Sequence, residues 1–437
     1  MTSSRIDLHE GVGEVLLRNR ARAELERSQW LSLEDLELLQ IRRMRALVKH
    51  AYETVPFYHR VFDESKVKPE DIHSRHDLLK IPILTKEVVR SHTYEMISSI
   101  YDIKNLEEKS TSGSTSIPLK VYRCREQNAY SAAVKLRNNS WVNMTDRDYA
   151  AVIAPGGEGW RSLKGVNDLR LDSYEISVQK LERLAVSVRR LRPKFLVGFP
   201  SGQILFSRFC EERGIDDISF EWIRCSGEKI FEEEKRRMER IFSSKVHEHY
   251  SATESSSIGS ECAERSGLHI SSENQFVEFI KDDELAAPGE MASVIVTPLF
   301  SYGMPLIRYE LGDVAYHKDD VCPCSRGLPL MSYVDGRITD ILVAPDGRLL
   351  CNSNFHSRIF AGIDIQQYRI IQEKVTSIVI ELVPGKNYTE KATDFIVKSI
   401  KRYMGQEVDV TVKLKDKIEP GSSAKRRIVV SHVPVKL

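Results

Sequence analysis

The sequence predicts an α/β protein with a large N-terminal domain and a small α+β C-terminal domain. Amphipathic helical patterns alternate with apolar, strand-like runs through the first three quarters of the chain, which is typical of an α/β core. Beyond residue 336 two β-rich segments flank one helical segment. We therefore predict a large domain at residues 1–335 and a small mobile domain at residues 336–437.

The first predicted helix begins at a capping signal. Residues 32–35, Ser-Leu-Glu-Asp, resemble a helix-starting box, and apolar residues then recur at spacings of three and four up to Ala51. Pro56 is expected to end this helix. Residues 232–242 predict a charged surface helix.

Strands are predicted wherever short apolar runs meet turn residues. Residues 195–199 indicate a buried strand that ends in a turn at 200–202, and residues 293–297 indicate another. Near the C-terminus, residues 376–383 and 408–414 are β-rich, and residues 389–404 between them are helical in pattern.

Composition narrows the class of protein. The chain has 437 residues, 41% of them hydrophobic, and 64 Lys and Arg balance 63 Asp and Glu to a net charge of +1. This balance argues against nucleic acid and membrane surfaces as partners. The polar N-terminus and the odd number of cysteines, 7, fit neither a secretory signal nor a disulfide framework, so we expect a cytoplasmic protein.

A loop rich in hydroxyl groups is the most informative segment. It contains Thr111, Ser112, Gly113, Ser114 and Thr115. Backbone N–H groups and hydroxyls of such a loop can surround a phosphate chain, although the common GxxxxGK[ST] pattern does not fit. An ordinary solvated linker is the alternative interpretation.

Three further motifs and one lysine follow this loop along the chain. The motifs are HYSATE at 249–254, RYELGD at 308–313 and GRITD at 336–340, and the lysine is Lys425 within PGSSAKRR. A surface lysine in a basic run is the alternative for Lys425, and an ordinary turn is the alternative for Asp340. For Asp313 the alternative is a strand-end ion pair with Arg308, and for Glu254 it is a solvated turn rich in Ser and Glu.

Taken in order, these segments resemble the adenylate-forming enzymes. TSGSTSIPLKV is similar to their TSGSTGKPLKV loop, HYSATES to YGxTE, RYELGD to RYxxGD, and GRITDIL to the GRxxDxL hinge. Within that superfamily the chain most resembles the phenylacetate–coenzyme A ligase and CapK-like branch, through HAYETVPFYHRVF, IPILTKEVVR, VGFPSG and VCPCSRGLPLMSYVDGR. The resemblance implies the adenylate-forming enzyme fold, with its C-terminal domain acting as a lid.

The resemblance also implies a two-step, ATP-dependent ligase. A carboxylic acid first joins AMP and releases pyrophosphate; the small domain then rotates, and the acyl group passes to an acceptor. Coenzyme A is the acceptor that the ligase branch implies, and an amine that would give an amide is the alternative. A non-catalytic relative that binds an adenylate is a third hypothesis, and a homodimer is one option for its assembly.

The family motifs assign a role to individual residues. Glu254 is expected to bind Mg²⁺, Thr253 to contact the α-phosphate, and Asp313 to accept hydrogen bonds from the ribose hydroxyls. Lys425 would bridge carboxylate and phosphate in the transition state, and Asp340 would be the hinge. The residues expected to bind the nucleotide are Thr111, Ser112, Gly113, Ser114, Thr115, Gly227, Glu228, Tyr250, Ser251, Asp313 and Arg337.

Four residues at three places depart from the family pattern. Ser116-Ile117 stands where the family usually has Gly-Lys, which removes a cation unless Lys120 replaces it. Ala424 stands where glycine often precedes the lysine, and Ser251 replaces the glycine of the second motif.

Four residues form a separate hypothesis about a metal. Cys262, His269, Cys322 and Cys324 make a Cys₃His set, a recognised composition of structural zinc sites. Related sequences of the branch show similar elements. The alternative is a set of buried thiols without metal.

The acid-binding pocket is expected between residues 195–202, 225–228 and 250–254. Phe199 and Pro200 would form an apolar wall there, which suits an aryl or other planar acid. Aromatic residues that simply fill the core are the alternative.

Overall fold

The structure of the chain is a computed structural model. It describes residues 12–110, 119–145, 148–154, 159–163, 166–173, 176–337, 342–350, 359–360, 363–419 and 427–434.

The described α-helices are α1 (Val12–Ser28), α2 (Leu33–Thr54), α3 (Pro56–Glu64), α4 (Lys86–Ser91), α5 (Arg125–Ser140), α6 (Val178–Leu191), α7 (Pro200–Glu212), α8 (Glu232–Ile241) and α9 (Glu390–Met404). Short 3₁₀ turns lie at Pro69–Asp71, His76–Lys80 and Ile103–Asn105.

The described strands are β1 (Glu107–Ser110), β2 (Lys120–Arg123), β3 (Tyr149–Ile153), β4 (Gly159–Leu163), β5 (Val166–Leu171), β6 (Phe195–Gly198), β7 (Trp222–Ser226), β8 (Lys245–Ala252), β9 (Ser256–Ser260), β10 (Leu268–Ile270), β11 (Gln275–Lys281), β12 (Glu284–Leu285), β13 (Met291–Pro298), β14 (Tyr309–Lys318), β15 (Leu330–Met331), β16 (Gly336–Arg337), β17 (Leu342–Val343), β18 (Leu349–Leu350), β19 (Ile365–Lys374), β20 (Ser377–Pro384), β21 (Asp409–Leu414) and β22 (Val429–Ser431).

One long sheet carries most of the large domain. Its strand order is β12-β11-β13-β14-β15-β10-β9-β8-β7-β6-β3-β5-β4, and β16 pairs with β14. The strands β5, β3, β6, β7 and β8 run parallel to one another, whereas β8 to β14 pair in antiparallel fashion. Because parallel strands end at a common edge, the segments after β6, β7 and β8 lie side by side.

The first helical prediction is confirmed in detail. The Ser32 hydroxyl accepts the N–H of Asp35 at 3.1 Å and caps α2. The buried residues of α2 are Leu36, Gln40, Met44, Leu47, Val48 and Ala51, which form the face that the spacing predicted. Pro56 follows the end of α2 and occupies the first turn of α3, where its missing N–H costs nothing.

The segment after β6 differs from its prediction. The strand itself is confirmed as Phe195–Gly198, but residues 200–202 open α7 instead of forming a turn. Pro200 favours this helix start because its fixed φ suits the first helical position.

The C-terminal region has its own core. A four-stranded sheet of order β21-β20-β19-β22 packs against α9, and its buried side chains include Ile370, Ile380, Ile396 and Ile400. The predicted α/β class with a small α+β unit near the C-terminus is confirmed. Among the residues that the structure describes, no helix is both long enough and apolar enough to cross a bilayer.

Candidate active site

A hydrogen bond joins two of the predicted motifs. The Tyr250 hydroxyl on β8 donates to Asp313 Oδ2 on β14 at 2.8 Å. Sixty-three positions separate these residues in sequence. The sheet therefore brings the second and third motifs to one place, and both side chains are half-buried, as ligand-binding groups must be.

Glu254 is held by a tyrosine of the third motif to which the sequence analysis assigned no role. The buried Tyr309 hydroxyl donates to Glu254 Oε1 at 3.1 Å. Burial and the neighbouring Glu254 carboxylate raise the pKa of Tyr309, which keeps it a hydrogen-bond donor. Glu254 itself is half-buried in the turn between β8 and β9, so its carboxylate is oriented while it stays accessible.

The hairpin that carries the hydroxyl-rich loop contacts this turn at its end away from the loop. Residues 111–115 lie outside the described residues, but β1 and β2 on either side form a hairpin in which Ser110 is opposite Lys120. At the end of β2, the guanidinium of Arg123 donates to the carbonyl oxygen of Thr253. One end of the loop's hairpin therefore contacts the predicted Mg²⁺-binding turn.

Lys120 lies on the surface of this hairpin. It is exposed, and its ammonium group pairs with Glu108 at 3.0 Å. Lys120, which was considered as a replacement for the family's loop lysine, is therefore already paired with a carboxylate.

Gly227 and Glu228 lie beside the same edge of the sheet. Gly227 has φ +84°, and a Cβ atom there would come within 2.8 Å of the Phe199 ring, so both conformation and space favour glycine. Glu228 Oε2 accepts the N–H of Ser201 at 2.9 Å in the first turn of α7. Ser226 and Ser251 hydroxyls lie 3.4 Å apart and connect this segment to the second motif.

The remaining predicted residues are only partly described. The backbone of Arg337 on β16 lies opposite Asp313 on β14, which brings the fourth motif beside the third. The Arg337 side chain, Asp340 and Lys425 lie outside the described residues. A lysine that the sequence analysis missed, Lys229, pairs with Asp335 at 3.0 Å and ties the 227–229 segment to the start of β16.

Asp313 had a competing interpretation, an ion pair with Arg308. The Arg308 guanidinium instead pairs with the buried Glu278 at 3.1 Å and donates to the carbonyl oxygen of Ile81. The strand-end ion pair is therefore wrong as an account of Asp313.

The four predicted zinc ligands converge. One ligand atom from each of Cys262, His269, Cys322 and Cys324 lies within 4.8 Å of all the others. Cys262 and Cys322 sulfurs are 3.6 Å apart, and the Cys324 sulfur is 3.3 Å from His269 Nε2. The other ring nitrogen, His269 Nδ1, lies 3.2 Å from the carbonyl oxygen of Leu328, which orients the ring.

These separations fit a tetrahedral zinc ion. Zn–S bonds of about 2.3 Å and a Zn–N bond of about 2.0 Å place two sulfurs about 3.8 Å apart and a sulfur and a nitrogen about 3.6 Å apart. Burial lowers the pKa of His269 to about 4, so its ring is neutral near pH 7, as a ligand must be.

The chain is similar to two groups of known proteins. Residues 342–432 match the family model of the CapK C-terminal domain. A phenylacetate–coenzyme A ligase from Thermus thermophilus is 27% identical over 72% of this chain and 73% of its own length. Protein CapK from Staphylococcus aureus is 21% identical over 91% of this chain and 90% of its own length.

A solved structure shows the fold. The 2-hydroxyisobutyryl-CoA ligase, determined in its postadenylation state with an acyl-AMP, aligns with a TM-score of 0.78 at 17% identity, over 93% of this chain and 91% of that one. The fold of this chain is therefore that of the adenylate-forming CoA ligases. The predicted resemblance to the phenylacetate–coenzyme A ligase and CapK-like branch is confirmed.

Proposed function

We propose that this chain is an ATP-dependent ligase that activates a carboxylic acid as an acyl-adenylate and transfers the acyl group to coenzyme A. The observation that carries the proposal is the convergence of Tyr250, Thr253, Glu254 and Asp313 from distant segments of a CoA-ligase fold. The names of its relatives support the same chemistry.

The first step needs two anions to be brought together, the acid and the α-phosphate of ATP. The hydroxyls of Thr111, Ser112, Ser114 and Thr115 would donate to the β- and γ-phosphates, and Gly113 would allow close backbone approach. Thr253, whose carbonyl is already held by a buried guanidinium, would donate its hydroxyl to the α-phosphate.

The nucleoside would lie on the edge formed by the other motifs. Asp313 would accept the ribose hydroxyls while Tyr250 holds its second oxygen, and Arg337 would contact ribose or phosphate. The residues proposed at the adenine side are Gly227, Glu228, Tyr250 and Ser251.

Glu254 fits a magnesium ligand. Its carboxylate is accessible, and the Tyr309 hydrogen bond uses only one of about four lone-pair sites of the group. Mg²⁺ bound there would neutralise charge on the phosphates during displacement of pyrophosphate.

The second step would depend on the C-terminal domain. We propose that residues 336–437 rotate about Asp340 relative to residues 1–335 and that Lys425 belongs to the adenylation arrangement. The ligase alignment covers 72% of the chain and the CapK alignment 91%, and the C-terminal match is to CapK. Because the C-terminal domain helps to present the acceptor, an amine acceptor stays an alternative to coenzyme A.

Pyrophosphate exchange and hydroxylamine trapping test the proposal directly. Purified protein with ATP, Mg²⁺ and a panel of carboxylic acids should give an acyl-hydroxamate with at least one acid and should exchange labelled pyrophosphate into ATP. Trapped adenylate that coenzyme A fails to discharge, but an amine does, would favour the amide alternative. ATP binding without exchange for any acid would favour a non-catalytic adenylate-binding relative.

We also propose that the Cys₃His set holds a structural zinc ion. Protein purified without chelator should contain about one zinc per chain, and Cys324→Ser should lower that content and the melting temperature. Cys210→Ser, a buried cysteine outside the set, is the matched control and should keep its zinc. Absence of zinc from a fully folded protein would contradict this proposal. A cytoplasmic location and a homodimer stay predictions.

A further inference from the structure

One face of the central sheet carries two arginines and a histidine in a single row of paired residues. Residues paired across neighbouring parallel strands share a face, and Arg170, Val197, Arg224 and His247 belong to one such row. Two residues further along β7 on the same face is Ser226, whose hydroxyl lies 3.4 Å from that of Ser251. The row therefore lies about 7 Å from the residues of the second motif.

Helix α5 covers this row with polar side chains. The amide oxygen of Asn139 accepts a hydrogen bond from the Arg224 guanidinium. Lys135 lies one turn earlier on the same helix face. Desolvation is the largest cause that lowers the pKa of Lys135, with repulsion by Arg224 next, although the side chain is exposed. Lys135 is therefore an accessible cation close enough to Arg224 to be repelled by it.

Arg224 is a buried cation whose charge is not balanced. It is 9% exposed, and no carboxylate among the described residues lies within ion-pair distance of it. Burial alone lowers the pKa of Arg224 to about 10, with no anion acting in the other direction. A buried guanidinium without a counter-ion is costly, so a protein retains one where an anion arrives from outside.

The nearby groups do not neutralise Arg224 and Lys135. Asp168 pairs with Arg170 at 3.0 Å, so this carboxylate already has a cation. His249 stays neutral because burial, Arg224 and Lys135 lower its pKa to about 3, and its buried Nδ1 has no hydrogen-bond partner within the described part of the chain. Two cations and a polar ring atom thus lie near one another on this face of the sheet.

The cavity that Arg224 lines is too small for a substrate group. The apolar side chains of Met144, Phe195 and Trp222 leave there an accessible volume of about 10 Å³, room for one water molecule. An anion would therefore reach Arg224 from the other direction along the strand, where Ser226 and His249 lie toward the second motif.

We propose that the acid activated by this chain is compact and carries a second anionic group, a carboxylate or a phosphate, which binds Lys135 and Arg224. This inference rests on the proposed function, since the reacting carboxylate would lie toward Thr253. It names a substrate class that differs from a simple aryl acid.

The substrate class is tested by adenylation of matched pairs of acids. Each dicarboxylic acid with two to six bridging carbons is compared with its monoamide, each phosphorylated hydroxy acid with its unphosphorylated form, and phenylacetate is added as the uncharged aryl reference. We expect kcat/KM at least about 10-fold higher for the dianionic member of the preferred pair, as for other hydrogen bonds to charged groups. The two series separate a carboxylate from a phosphate as the second group.

Two variants test whether Lys135 and Arg224 cause the preference for dianionic acids. Lys135→Met and Arg224→Met should each raise KM for the dianionic acid on the order of 10- to 100-fold and leave KM for ATP and for the monoamide unchanged. Lys245→Met removes an exposed cation at the start of β8 and is the matched control. Lys135→Met decides the result if Arg224→Met does not fold, since Lys135 is exposed.

The two proposals fail in different ways. Wild-type protein that adenylates phenylacetate or the monoamides as efficiently as the dianionic acids would overturn this inference and leave the ligase intact. A protein that forms no adenylate with any acid would overturn the ligase proposal and this inference with it. If Lys135→Met lowers kcat/KM equally for both acids of a pair, the lysine has a structural role and the proposal is contradicted.

Discussion

Two buried guanidinium groups meet helix α5, and they differ in what balances their charge. Arg137, on α5 itself, is 0% exposed and pairs with the equally buried Glu273 at 3.1 Å. The Ser28 hydroxyl donates to the same Glu273 carboxylate at 2.9 Å. Arg224 reaches α5 from β7, and among the described residues its partner there is the neutral amide of Asn139.

The difference separates a structural role from a binding role. In a buried ion pair whose hydrogen bonds are satisfied, the two charges balance each other within the folded chain. Removal of either partner leaves an uncompensated charge. A buried cation that meets only neutral dipoles is incomplete until an anion binds. The predictions below test this contrast, beginning with the largest expected effect.

The largest effect is expected from breaking the ion pair between Arg137 and Glu273. Glu273→Gln leaves Arg137 buried without an anion and should lower the free energy of unfolding by about 3–5 kcal/mol. Urea denaturation measures the change. Glu233→Gln, on the exposed face of α8, should stay within about 0.5 kcal/mol of wild type. A small effect of Glu273→Gln would remove the distinction between the two arginines.

Removal of the Lys425 charge should affect every acid alike. Lys425→Ala should lower the rate of adenylation on the order of 10²–10³-fold with little change in ATP affinity, because its charge is needed only in the transition state. Pyrophosphate exchange with several acids measures this. Lys413→Ala, an exposed lysine on β21, is the control. A loss confined to dianionic acids would assign Lys425 to binding instead.

The surroundings of Arg224 should also make the stability of the fold depend on pH. Burial, followed by repulsion from Arg224, lowers the pKa of His247 to about 3, against about 6.5 in an unfolded chain. As the pH falls, His247 is protonated at a higher pH in the unfolded state than in the folded state. Its contribution to stability is therefore present above pH 6.5 and is lost as the pH drops toward 3. This residue alone should cost about 2 kcal/mol between pH 6.5 and 5.

His247→Phe tests that dependence. The variant should lose less stability than wild type between pH 6.5 and 5, as measured by urea denaturation at each pH. His76→Phe, at an exposed position, should leave the slope unchanged. An unchanged slope in His247→Phe would show that this histidine does not titrate with unfolding.

The smallest effect on stability is expected from replacing Arg224 with a neutral side chain. Arg224→Met loses the hydrogen bond to Asn139 but also removes a desolvated charge, so stability without ligand should change by less than about 1 kcal/mol. Thermal and urea unfolding measure it beside Glu273→Gln. A loss as large as that of Glu273→Gln would mean that Arg224 serves the fold and not a ligand.

Local signals in the sequence accounted for many elements of the fold. The cap at Ser32, the spacing along α2 and the segments of β13, β20, β21 and α9 were predicted within a few residues, because each rests on contacts between near neighbours in sequence. The start of α7 was missed, since a proline after a strand can open a turn or a helix.

The site motifs were found by their resemblance to a family, and their partners were not. Tyr309, Arg123 and Lys229 contact Glu254, Thr253 and Asp335 across 55, 130 and 106 positions of sequence. No local pattern marks such contacts, because they depend on which strands become neighbours in the sheet.

By itself the sequence determined the fold class, the order of the adenylation motifs and the Cys₃His set, since residue types and short spacings carry that chemistry. Only the tertiary structure decided that the second and third motifs meet, that the cysteines meet, and that Arg224 is buried with no carboxylate of the described residues beside it while Arg137 has one. The physical reason is that burial and charge balance are properties of surroundings assembled from distant segments, so they exist only once the chain has folded.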